Sequence, residues 1–172
     1  MAETMGEKET VFSSTIKYGG VFLFKDFYRF CYEWLKEETG MDPPSEVKYE
    51  EKLKGDEKDI IIEWEGEKEL TDYFRFDTKI KFTIRDLKNV EVLQSGKKIK
   101  TNEGSVKIEI KGILVRDYKG KFEMSGFRKF LRSIYEKWVI PARIEEYEGK
   151  IAGSCDEFLG QAKSYLDLEG KR

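Results

Sequence analysis

The residues with the most chemical potential in this 172-residue chain are its carboxylates. Glu63, Glu65 and Glu67 recur at every second position, Glu145 and Glu146 are adjacent, and Asp77 follows Phe76. At period two, Glu63, Glu65 and Glu67 share one face of a strand. Paired carboxylates can run acid–base chemistry or hold a hard cation. No calcium-loop spacing surrounds these, so lysines on neighbouring strands are their expected partners, as cross-strand pairs.

Other chemistries lack a required part. The chain has no histidine, which removes imidazole-based triads, His-ligated zinc or haem, and histidine pH switches. No motif places a Ser–Lys or Cys–carboxylate nucleophile. Gly96-Lys97-Lys98 lacks the upstream glycine and the following Ser or Thr of a phosphate loop, and reads as a hairpin turn. Cys31 and Cys155 fit neither a disulfide framework nor a metal motif and read as small buried hydrophobes. The expectation is no catalytic residue, no cofactor and no metal.

Two basic clusters stand out, Lys97, Lys98 and Lys100 at a turn, and Arg128, Lys129 and Arg132 on a helix, opposite Phe127 and Phe130. A nucleic-acid surface needs such cations next to exposed rings. Here the rings fall on a core-facing phase and the net charge is −2, both of which argue against nucleic acid.

Charged residues make up 38% of the chain, mostly Lys and Glu, with few Asn, Gln, Cys or Met, a thermophile-like composition. Twelve Phe, nine Tyr and three Trp mark it as a folding chain. Its length suits one domain, expected over residues 10–170 behind a disordered tail at 1–9. The N-terminus has no apolar signal-peptide core, and the longest apolar stretch, Val21–Phe24, is far too short to span a membrane. A cytoplasmic protein is the default expectation.

The elements that must position these residues are legible in the periodicity. Thr10–Tyr18 reads as a strand ended by Gly19-Gly20. Phe24, Phe27, Tyr28, Cys31, Trp34 and Leu35 form the stripe of a helix over about 23–38, with Gly40 as its cap. From Ser45 to Lys119 the period is two. Val47, Tyr49 and Leu53 predict one inward face, and Ile60, Ile62 and Trp64 another. Phe74, Phe76, Ile80, Phe82 and Ile84 give the clearest strand, Val90 and Val92 begin a further one, and Gln94-Ser95-Gly96 is a turn. After Val106, Ile108 and Ile110 the phase changes at Gly112, which predicts a bulge or bend there. Helical period returns with Phe127, Phe130, Leu131, Ile134, Tyr135 and Trp138, and again from Ile144 to Tyr165. An unbroken helix from Ser125 to Leu168 would be roughly 65 Å long, against a domain about 40 Å across. Pro141 therefore marks a break.

Half-wet strands belong to an antiparallel sheet. The expected fold is α+β: a twisted antiparallel sheet of about five to seven strands, covered on one face by the N-terminal helix and a long or broken C-terminal helix. This order of elements, from Thr10 to Leu168, is similar to the helix-grip superfamily of START/Bet v1-like domains. It differs in showing one helix after the first strand where the family has two, and Lys54-Gly55-Asp56-Glu57 where the plant members carry a glycine-rich loop. The resemblance implies an apolar or amphipathic small molecule, such as a lipid, held between sheet and C-terminal helix without catalysis.

Tyr49, Trp64, Phe74, Phe76, Phe82, Tyr135 and Trp138 map to inward positions and are the candidate cavity residues. So many rings either fill a core or line an incompletely filled one. The alternative function is a structural or interaction protein. It would form a homo-oligomer through the C-terminal helices, where Gly149, Gly153 and Gly160 could permit close packing.

Overall fold

A computed structural model describes residues 7–41, 44–119, 126–135, 137 and 141–170. The elements are β1 (Glu7–Val21), α1 (Phe24–Glu38), β2 (Ser45–Lys54), β3 (Glu57–Glu69), β4 (Phe74–Gln94), β5 (Lys97–Arg116), α2 (Gly126–Ile134) and α3 (Pro141–Gly170). The strands form one antiparallel sheet in the order β1-β5-β4-β3-β2. The α+β fold with N- and C-terminal helices is as the periodicity predicts.

The register explains why the helices pack where they do. Successive rows cross the sheet on its inner face: Tyr18, Val106, Ile84 and Ile60; then Ile16, Ile108, Phe82 and Ile62; then Ser14, Ile110, Ile80 and Trp64. The next row, Phe12, Gly112, Thr78 and Gly66, is made largely of small residues. A β-carbon on Gly66 would lie 2.7 Å from Met41 Sδ, and one on Gly112 would lie 2.7 Å from Ile151 Cγ2 and 2.8 Å from Cys155 Sγ. This trough is what lets Met41 and α3 approach the sheet. Phe27, Cys31 and Leu35 of α1, and Ile151, Cys155, Phe158, Leu159, Ala162 and Leu166 of α3, are buried against these rows.

The helix ends are held by side chains of the sheet. No side chain caps α1 from its own N-cap, Leu23. Instead Phe24 N–H donates to Asn102 Oδ1 of β5 at 3.1 Å, and Asn102 Nδ2 donates to Asn89 Oδ1 at 2.8 Å. At the other end Gly40 takes a positive φ of 66°, as expected of the residue after a helix, and Lys68 Nζ donates to Thr39 O at 2.6 Å. Pro141 opens α3, where its missing N–H leaves no helical bond unmade.

Four expectations change. β1 begins at Glu7, so residues 7–9, expected in the tail, pair with Leu114–Arg116 instead. β4 runs unbroken through Val90 and Val92. A register shift between Arg85 and Lys88, with Asp86 at φ 54°, moves the alternation by one residue and mimics a strand boundary. Gly112 stays in register with Thr78, and the bulge lies in the opposite strand, between Thr10 and Phe12. In β2 a shift between Glu46 and Lys48 accompanies Val47's turn to the outer face, and Tyr49 and Leu53 lie exposed on the sheet edge.

Candidate functional site

The predicted cavity residues divide. Trp64, Phe74, Phe76 and Phe82 are all buried. Three of these rings meet other rings: Trp64 lies 4.7 Å from Phe82 and 5.1 Å from Tyr28, Phe82 lies 6.3 Å from Phe27, and Phe74 lies 5.2 Å from Tyr147. Tyr135 is half-buried, 5.5 Å from Tyr73. Tyr49 is 44% exposed on β2, and its hydroxyl donates to Glu51 at 2.7 Å; partial burial of the hydroxyl, and then this hydrogen bond, raise its pKa. Trp138 lies outside the described residues. Between the sheet and the described parts of α1 and α3, a void lined by Leu35, Met41, Phe76, Thr78, Ile110 and Cys155 is too tight for a water molecule.

The carboxylates of β3 and β4 lie on the outer face of the sheet, while Glu145 and Glu146 lie exposed on α3. Glu63 and Glu65 stand opposite Lys81 and Lys79, as cross-strand pairing requires, and Glu67 stands opposite Asp77. Arg75 resolves that juxtaposition of two acids. Its guanidinium donates to both oxygens of Asp77, at 2.7 and 2.9 Å, and lies 3.8 Å from Glu67. It also covers the Tyr118 ring at 5.7 Å, so Asp77 is a buried, fully paired structural group. Glu109 is held below the usual carboxylate range by its hydrogen bond to Lys107, with Lys81 and Lys111 adding to the effect. Glu63, Glu65, Lys79, Lys81, Glu109 and Lys111 border a hollow of about 550 Å3 on the open sheet face. Its lining also includes Ser13, Ser14, Thr15 and Val47, and it opens to solvent. Among the described residues no group of three or more His, Cys, Asp or Glu is placed to hold a metal ion.

The largest departure from the periodicity is α2. Phe127, Phe130, Leu131 and Ile134 form one helical stripe, as predicted, but they face outward. Their exposures are 69%, 60%, 39% and 38%. Arg128 and Lys129 on the same helix are exposed as well. The reading that placed these rings in the core, and so discounted the neighbouring cations, is corrected. By contrast the stripe of α3 from Ile151 to Ala162 is buried inside the chain. Gly149, Gly153 and Gly160 have open space where a β-carbon would stand. The signal for α2 was present in the sequence as an apolar stripe flanked by cations. What periodicity could not show was whether the fold has a surface to cover it.

No protein-family model matches the chain, and no curated protein matches it either. No described helix is long and apolar enough to cross a membrane.

Proposed function

We propose that the protein is a non-enzymatic binding module: a sheet braced by α1 and α3 that carries α2 as a docking helix. The observation behind this reading is the exposed stripe of Phe127, Phe130, Leu131 and Ile134 on a nine-residue helix. Contiguous exposed apolar side chains of this size, bordered by charge, are the usual mark of an interaction surface. The reading keeps the interaction class expected from the sequence and moves its surface from α3, whose stripe is consumed by the core, to α2. The helix-grip reading, an apolar molecule between sheet and α3, has element order in its favour. The tight packing beneath α1 and α3 favours an external partner instead.

Thermal unfolding of the double variant Phe127→Gln, Phe130→Gln tests the reading without knowledge of the partner. A docking face open to solvent predicts a change in stability of no more than about 0.5 kcal/mol. A loss of about 3 kcal/mol or more, as for a buried Phe, would show that the face packs within the chain and would end the proposal.

A further inference from the structure

We infer that the partner of α2 is an anionic bilayer surface, with the helix lying in the plane of the lipid headgroups. This inference rests on the docking reading above and adds the chemistry of what is docked. Between Gly126 and Arg143 the chain carries Arg128, Lys129, Arg132, Lys137 and Arg143 against the single acid Glu136, while the whole chain has a net charge of −2. Cations are therefore concentrated in the segment that carries the exposed apolar stripe, in a chain that is otherwise acidic.

The shape of the stripe points the same way. At about 100° per residue, Phe127, Phe130, Leu131 and Ile134 occupy an arc of about 100°, with Arg128 and Lys129 off it. A narrow apolar stripe with cations on the other faces of the helix suits a helix that lies on a membrane, its rings among the acyl-chain ends and its long Arg and Lys side chains reaching up to the phosphates. Nine residues are too few to span one.

The same features disfavour other occupants. Helix α2 carries no acid, so a second copy docked through the same helix would bring no countercharge from it to Arg128 and Lys129. Stacking on nucleic-acid bases uses separate aromatic rings along a basic groove. Here the two Phe side chains share one stripe with aliphatic Leu131 and Ile134 on a convex helix.

The test is flotation of the full chain with vesicles of phosphatidylcholine alone or with about 30 mol% phosphatidylserine, with binding to the anionic vesicles expected to be at least about tenfold tighter and to weaken with added salt. Arg128→Glu, Lys129→Glu should reduce binding to the level of neutral vesicles, and Phe127→Gln, Phe130→Gln should abolish it on both. Failure of the wild-type chain to float with anionic vesicles would overturn the inference. If the Phe variant then keeps its thermal stability, docking through α2 stands and only the bilayer fails. If it unfolds like a core variant, the docking reading itself fails. A dimer that the Phe variant dissociates, without vesicle binding, would overturn the bilayer in favour of a second copy. Salt-sensitive binding of a single-stranded oligonucleotide without vesicle binding would do so in favour of nucleic acid.

Discussion

Gly112 of β5 and Ile151 of α3 meet so closely that a β-carbon on the glycine would lie 2.7 Å from Ile151 Cγ2. The contact sets how near α3 sits to the sheet. Gly112→Ala should therefore destabilise by about 1–3 kcal/mol through overpacking. Gly149→Ala, on the open side of the same helix, should stabilise by up to about 1 kcal/mol through helix propensity. Urea unfolding of the two variants checks the pair, and equal effects would contradict the close approach.

Asn102 does for α1 what an N-cap side chain ordinarily does, but from a neighbouring strand. Asn102→Ala removes the acceptor for Phe24 N–H and the donor to Asn89, so a loss of about 1–2 kcal/mol is expected. Hydrogen exchange should quicken first at the start of α1 if this cap is the reason.

Removing Asp77 leaves the Arg75 guanidinium under Tyr118 without its bidentate partner. Asp77→Ala should cost about 3 kcal/mol or more, whereas replacing Arg75 and Asp77 together by apolar residues should cost much less. A double-mutant cycle measures the difference. Strict additivity would show that the pair does not act as a unit.

Two carboxyl groups predict opposite responses to acid. Asp59 is held below its ordinary pKa, first by the Asp86 N–H at 3.0 Å and then by Lys54 at 3.2 Å. Its contribution is present at neutral pH and is lost as pH falls through the folded-state value, so Asp59→Asn should flatten the acid limb of the stability curve. Glu148 is raised by burial and by Glu9, against the opposing pull of Arg116. Its proton binds more tightly in the folded state, so stability rises as pH falls through that value. Glu148→Gln should stabilise at pH 7 and have little effect below the unfolded carboxyl pKa. Thermal melts across pH 3–7 read both signs.

Cys31 and Cys155 are buried, and burial pushes both thiols up, Cys155 to about 12. Since the thiolate is the reactive form, neither should react with a disulfide reagent in the native state, and both should react on unfolding. Rapid labelling of one thiol under native conditions would place it outside the core.

Residue spacing alone determined the helices and most strands of this protein. Phe27, Cys31 and Leu35 recur at the helical period, and Ile80, Phe82 and Ile84 at the strand period. That periodicity is local, set by backbone geometry. The turn at Gln94-Ser95-Gly96 was legible for the same reason. Ser95 and Gly96 take positive φ there, and the tight turn favours a small residue such as glycine. What spacing left undetermined was anything that depends on a partner distant in sequence. One-residue shifts opposite Val47 and beyond Arg85 change which residues face the core, and they exist only in the pairing of two strands. Gly112 read as a bend because nothing nearby in sequence reveals Ile151 and Cys155 arriving from α3. The stripes of α1 and α2 look alike as sequence. Only the tertiary structure separated them, because the sheet's apolar rows are covered by α1 and α3, and Phe127 and Phe130 were left facing outward.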